Sequence, residues 1–264
     1  MNTLLITHTD LDGISVLVLT RYFGVKFKKV YVWNYEEINI DDMKKYKNII
    51  MVDLSIDEKS FLDLKQRGCD IRIYDHHETS KYISKYKGNI WDMNRCGTRI
   101  FYDNYIKFLP MFKENKSVED YVLLVDTFDR WQQNNPLWER ALNLQRLFTS
   151  TQHFINIGVE YIKRNLVFTP SESMTIIQTI HDEDKEYKES IRGMKKYTDS
   201  KGVIYGVIPI KKYVSIVCNR ILNNNQDLVY VIGYYPSGRI SVRSVERFDV
   251  TTLNGIHGHN NAGG

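Results

Sequence analysis

Cysteine is scarce: Cys69, Cys96 and Cys218 are the only three in this chain of 264 residues. Their odd number and unrelated spacing exclude a disulfide framework and a zinc knuckle, so all three are expected to be small buried hydrophobes. Long apolar runs are missing too. No run approaches the roughly 18 to 20 residues of a membrane span, and no basic stretch leading into a long apolar segment opens the chain. A cytoplasmic protein with no membrane partner is the expectation. Two catalytic signatures are also absent: nothing supports a P-loop nucleotide hydrolase, for want of a GxxxxGK(S/T) loop, and there is no HExxH helix. Alanine is nearly absent, with Ala141 and Ala262 alone beside many Lys, Asn, Ile and Tyr, a bias that points to an AT-rich coding source.

What is present is an ordinary globular composition, 42% hydrophobic, enough for one substantial core or two smaller ones. The net charge of +4 is unevenly placed. Residues 201–264 hold seven Lys/Arg against three Asp/Glu, which accounts for all of it, and the first 200 residues are neutral. The excess is either a solvated face or an attractor for a phosphate-bearing ligand, and its position hints at two domains.

In the first half, short β-rich runs alternate with helical segments such as 13–22 and 57–67: TLLITH, KKVYVWNY, NIIMVDLS, CDIRIYDHH and GNIWDM. That alternation predicts βαβ units, and two of the runs, nearly continuous in apolar residues, predict a doubly wound, mainly parallel sheet covered on both faces. After FDRW the pattern turns helical, and residues 171 to about 196 read as a long charged helix. From Gly202 three short strand runs return, GVIYGVIPI, LVYVIGYY and RISVRSV, with YPSGR as a turn. The expected organisation is α/β throughout: a first domain at 1–170, a helical linker at 171–200, and a second, smaller α/β domain at 201–264.

Ligands of open parallel sheets bind beyond the carboxyl ends of the strands. Here the first strand runs into His8, Asp10 and Asp12, the third into Asp53, and the fourth into Asp75, His76 and His77. Any one of these acids alone reads as a helix N-cap or a polar turn. Three such strand ends in succession argue against coincidence. Carboxylates and imidazoles without thiolate suit a hard-to-borderline divalent ion, Mn²⁺ ahead of Mg²⁺, with zinc less favoured.

The stretches HTDLDG, MVDLS, YDHHE and CGTRIFYD, in that order, resemble the successive motifs of the DHH phosphoesterase superfamily. The later VCNRILNNNQDLVYVIGYYPSGRISVRSV, followed by GIHGHNNAGG, resembles the DHHA1 domain that accompanies DHH domains and closes over a nucleotide substrate. Together they cover nearly the whole chain, and the forms HTDLDG and FDRW are most similar to the nanoRNase branch. The resemblance implies two Mn²⁺ ions, with Mg²⁺ as the alternative. One would be held by His8, Asp10 and Asp53, the other by Asp12, Asp53, His76 and Asp129, so that Asp53 bridges. It further implies that Asp75 orients the histidine pair and that His77 faces the substrate phosphate, making Asp53, Asp75, His76 and His77 the catalytic set. VDTFDRW offers both Asp126 and Asp129; the family's acid two residues before tryptophan selects Asp129, with Asp126 in reserve. Thr98 is expected either near the substrate or as an N-cap. Arg243, within SVRS, and Gly258 with His259, within the glycine-rich segment, are implied to contact the nucleotide's phosphate and base. Two departures from the family pattern stand out: His8 sits only two residues before Asp10, and GIHGH replaces an unbroken glycine run.

The expected function is that of a metal-dependent phosphodiesterase acting on very short oligonucleotides. The alternatives are a cyclic-dinucleotide phosphodiesterase and a 3′-phosphoadenosine 5′-phosphate phosphatase. A longer-strand exonuclease is disfavoured by length and by the lack of a long basic stripe. From another class, a nucleotide-binding regulator with a vestigial metal site is disfavoured because every expected metal position carries its donor. The expected partner is the short oligonucleotide or another small nucleotide, with a homodimer allowed.

Overall fold

The computed structural model describes residues 2–33, 39–256, the backbone of 258–259, and 261–264. The chain divides into two compact units, Met1–Ile176 and Ile177–Gly264.

The first unit runs β1 (Thr3–His8), α1 (Leu11–Tyr22), β2 (Lys29–Trp33), α2 (Ile40–Met43), β3 (Asn48–Val52), α3 (Glu58–Gln66), β4 (Asp70–Asp75), β5 (Ile90–Trp91), α4 (Gly97–Asn104), α5 (Lys116–Asp129), α6 (Trp138–Thr149) and α7 (Phe154–Lys163). Its five strands lie in the order β2-β1-β3-β4-β5, and every pairing is parallel. The period-2 alternation of the strands explains why both faces are covered. Leu5, Ile50, Val52 and Tyr74 join a core with α1, α4, α5, α6 and α7. Leu4, Ile6, Ile49, Met51, Ile71 and Ile73 point the other way, onto Met43 of α2 and Phe61 and Leu64 of α3. The sheet is doubly wound, as its apolar strands predict. Apolar on most of its surface, α1 is buried at nine of its twelve positions. A fully buried position such as Ile6 would cost about 2–5 kcal/mol on truncation to alanine.

The long helix α8 (Pro170–Arg192) crosses the division between the units. The second unit continues with β6 (Lys195–Thr198), β7 (Ile204–Pro209), α9 (Val214–Asn224), β8 (Tyr230–Tyr234), β9 (Ile240–Ser244), β10 (Gly258–His259) and β11 (Ala262–Gly263). Its sheet order is β10-β11-β9-β8-β7-β6, with β7 and β8 parallel and the other pairs antiparallel. As the crossover between the parallel pair, α9 buries Val217, Cys218 and Ile221 with Ile208 and Val231. The YPSGR turn forms as expected, with Tyr235 N donating to Arg239 O at 2.8 Å and Gly238 at φ +85°.

Two expectations need correction here. The helix stops at Arg192 rather than near 196, and residues 195–198 pair with β7; at Gly193, where the chain turns away, a Cβ would come within 2.7 Å of Pro209 Cγ. The last residues add two short strands to the three expected in the second unit. All three cysteines are buried thiols. Among the described residues no helix is long and apolar enough to cross a membrane.

Candidate metal centre

Because β1, β3 and β4 are adjacent and parallel, their carboxyl ends meet at one rim, bringing His8, Asp53 and the Asp75–His77 run together. Two glycines let the chain close in there. At Gly13, in the first turn of α1, an added Cβ would lie 2.4 Å from the His8 carbonyl oxygen, so only glycine lets α1 start directly over the end of β1. At Gly97 it would lie 2.6 Å from Asp53 Cβ. Asp53 itself is left-handed, at φ +65°, a strained conformation for a residue with a Cβ. Its N–H donates to Tyr74 O (2.9 Å), which holds the turn as β3 ends.

The acidic and imidazole groups form three overlapping sets whose potential ligand atoms lie within 4.8 Å of one another: His8, Asp10 and Asp53; Asp12, His76 and Asp129; and Asp53, Asp75, His76 and His77. His8 Nδ1 donates to Asp10 Oδ2 at 2.6 Å, and Asp10 Oδ1 caps α1 by accepting from Gly13 N at 2.9 Å. His76 Nε2 lies 3.2 Å from Asp53 Oδ1 and 3.6 Å from Asp129 Oδ2. Asp75 Oδ1 accepts from the backbone N–H of His76 (2.8 Å) and from His77 Nδ1 (2.8 Å), while Ser80 donates to Oδ2.

The electrostatics divide these acids into two kinds. Burial, compounded by the charges of Asp12 and Asp10, pushes both Asp53 and Asp129 well above the usual carboxylate range. Burial works in the same sense on Asp75, but the charge and hydrogen bond of His77 outweigh it and hold that carboxyl at about 2. Asp10 is likewise held at about 2, the His8 hydrogen bond outweighing desolvation. Burial lowers the affinity of the His8 and His77 rings for a proton, yet Asp10 and Asp75 respectively bring both above the ordinary imidazole value. Asp53 Oδ2 and Asp129 Oδ2 are buried and make no hydrogen bond within the protein. Mutually repelling carboxylates with buried unbonded oxygens, interleaved with imidazole nitrogens, fit a divalent cation.

Every expected ligand therefore falls in one of these sets. Asp126 does not: its Oδ1 accepts from Cys96 N (2.7 Å) and its Oδ2 from Arg99 Nη1 (2.7 Å), so it is fully engaged away from the cluster. Thr98, expected near the substrate or as a cap, is wholly buried one residue inside α4, with its N–H on Asp12 Oδ1 (2.8 Å) and its hydroxyl on the Asp12 carbonyl (2.5 Å). In the second unit, Arg243 of β9 is partly buried. It donates to Val242 O and to Ser215 Oγ, each at 2.8 Å, and burial lowers its pKa. Among the described residues no carboxylate pairs with it. Ser215, in the first turn of α9, escaped sequence reasoning because its only signal is this contact with a distant strand. Backbone register places His259 opposite Ala262 and Ala262 opposite Arg243 across β10, β11 and β9. The side chain of His259 lies outside the described residues, and Gly258 is described through its backbone pairing with Gly263.

No family model and no curated protein sequence matches this chain. Solved structures do match, each over 99% of its length. One is the DHH domain of a protein described as a member of the s1p family of ribosomal proteins, 15% identical, covered over 81% of that chain, with a TM-score of 0.61. Another is PggH, a pGpG-specific phosphodiesterase from Vibrio cholerae, 15% identical, covered over 92%, with a TM-score of 0.53. A third is RecJ from Thermus thermophilus in complex with Mn²⁺, 15% identical, TM-score 0.53, of which this chain spans 48%. The chain shares the fold of these structures, and the strand-end cluster lies at the carboxyl rim of its parallel sheet.

Proposed function

We propose that the protein is a phosphodiesterase that uses two Mn²⁺ ions to hydrolyse very short oligonucleotides to mononucleotides. The observation that carries this reading is the pair of donor sets, His8 with Asp10 and Asp53, and Asp12 with His76 and Asp129, joined by the 3.2 Å approach of His76 Nε2 to Asp53 Oδ1. The first set would hold one ion and the second the other, with Asp53 shared between them. When bound, two such ions lower the pKa of a water and offset the charge that builds on phosphoryl oxygens during in-line attack. The chain's own groups do the rest. Asp75 directs the His77 ring through Nδ1 and favours its protonated form, in which Nε2 can donate to a phosphate oxygen. In the second unit Arg243, lacking a carboxylate partner among the described residues and lying beside the first turn of α9, offers a charge-assisted contact to a nucleotide phosphate.

The likeness to PggH, whose substrate is a dinucleotide, supports a short substrate, and the likeness to RecJ with Mn²⁺ supports the metal. The deciding experiment is a product profile from the purified protein with Mn²⁺ against dinucleotides including pGpG, longer oligomers, cyclic dinucleotides and 3′-phosphoadenosine 5′-phosphate. Dinucleotides should be consumed fastest. Preferential turnover of cyclic dinucleotides or of 3′-phosphoadenosine 5′-phosphate would replace this reading with the corresponding activity, and binding without turnover would make the chain a nucleotide-binding regulator.

A further inference from the structure

Nothing within α4 caps its own N-terminus: Cys96, which precedes the first turn, makes no side-chain cap bond. A helix start leaves several N–H groups unsatisfied, and burial without partners is costly. Here two carboxylates from other helices take them. Gly97 N and Thr98 N donate to Asp12 Oδ2 and Oδ1 at 2.7 and 2.8 Å, and Cys96 N donates to Asp126 Oδ1 at 2.7 Å. Three successive N–H groups are thus divided between a candidate metal ligand on α1 and a residue on α5. Gly97 meanwhile rests against Asp53 so closely that no side chain fits between them. One turn beyond Asp126 on α5 stands Asp129. The start of α4 therefore touches both Asp12 and Asp53 while being tied to the helix that bears Asp129.

We propose that Asp126 is a positioning residue for the metal centre: its bond to Cys96 N seats the start of α4 against α5 and so sets Asp12 and Asp53 at their distance from Asp129. This inference rests on the two-metal reading. Without the Asp126 carboxylate, the Cys96 N–H becomes a buried donor without its acceptor, next to two N–H groups that Asp12 already serves. The start of α4 would then shift to satisfy it, and Asp12, bound to the same turn through Gly97 N and Thr98 N, would shift with it. Arg99, whose bond to Asp126 Oδ2 lies on the outer side, steadies the carboxylate without touching the chain of contacts to Asp12.

The test is Mn²⁺ titration calorimetry on the full chain, with circular dichroism to confirm folding. Asp126→Ala should bind Mn²⁺ about tenfold more weakly or worse, while Arg99→Leu should bind close to the parent. Asp126→Asn combined with Arg99→Leu restores an acceptor for Cys96 N and removes the nearer of the two guanidinium donors that would face the amide, Arg130 Nη1 standing farther off at 3.9 Å, so it should recover most of the lost affinity. That double variant also keeps the question open should Asp126→Ala not fold. A folded Asp126→Ala protein that binds Mn²⁺ like the parent, or an Arg99→Leu protein that loses as much as Asp126→Ala, overturns the proposal. So does a double variant that binds as weakly as Asp126→Ala. Failure of the parent itself to bind Mn²⁺ would instead overturn the two-metal reading beneath it.

Discussion

Stripping the protein of metal should make it less stable as the pH rises above the ordinary carboxylate range, and Asp53 should be the main cause. Unfolded, this carboxyl titrates near 3.8; folded, burial and the neighbouring acids raise it well above that value. Between the two values the folded chain holds a proton that the unfolded chain has released, so raising the pH favours unfolding. The protonated group's contribution is fully present below the ordinary value and is lost as pH climbs toward the raised one. Across that window a single group changes stability by about 1.4 kcal/mol per pH unit, or roughly 3–6 °C of Tm per unit for a domain of this size. Asp129 acts in the same sense, and His8 and His77 do so above about 6.5. Asp10 and Asp75, held at about 2, stay ionised throughout and contribute no slope. The chain's positive charge at acid pH pulls the opposite way, so the decisive quantity is the difference between the parent and Asp53→Asn, which has no proton to lose. Tryptophan fluorescence is a suitable probe, because Trp33, Trp91, Trp131 and Trp138, the only four, all lie in the unit that carries the site. In chelator the variant should gain on the parent with each step in pH. Adding Mn²⁺ at a hundred times its Kd should restore about 2.7 kcal/mol to the parent and little to the variant. Parallel pH curves for the two proteins, or equal gains with Mn²⁺, would refute the reasoning.

Three further outcomes follow from the site. Asp53→Ala should lose on the order of a thousandfold in turnover, about 4 kcal/mol, because one shared carboxylate serves both ions; substantial Mn²⁺-dependent activity in the folded variant would sink the shared-ligand assignment. Chelation should abolish activity and Mn²⁺ should restore it better than Mg²⁺, since His8 and His76 offer nitrogen; equal restoration across a concentration series would count against both histidines as ligands. Arg243→Ala should lower kcat/KM on a dinucleotide roughly ten- to a hundredfold, a charge-assisted bond being worth about 1.5–3 kcal/mol. The same variant should hydrolyse bis-p-nitrophenyl phosphate like the parent and bind Mn²⁺ unchanged, and equal loss on both substrates would place Arg243 in folding rather than in substrate contact.

Much of this architecture is legible in the residues themselves. The five β-rich runs of the first unit become its five strands, each bounded by polar turns, and the two nearly continuous in apolar residues, β1 and β3, are the ones buried almost throughout. The topology then forces His8, Asp53 and the Asp75–His77 run to one rim. What cannot be read is anything decided by a distant partner. Asp126 and Asp129 lie one turn apart on the same helix, and only the place of α4 makes one a cap and the other a neighbour of His76. Thr98 looks like a cap or a substrate contact until Asp12 is seen to take both its donors. The left-handed turn at Asp53 leaves no mark in a string that carries aspartate, not glycine, there. In the second unit, Lys195–Thr198 carries too little apolar content to signal a strand, and only its pairing with β7 makes it one.

The donors of the metal centre are spread from His8 to Asp129, on strand ends and helices that touch only once the parallel sheet has closed. Such long separations make the sheet a late product of folding rather than an early one. A cation therefore meets no organised site until the first unit is almost complete. It cannot guide the chain toward the fold; it can only hold the finished fold shut. Mn²⁺ should accordingly slow unfolding in proportion to the stability it adds while leaving the refolding rate nearly untouched, and stopped-flow fluorescence at several Mn²⁺ concentrations would show the difference as movement of one chevron arm alone.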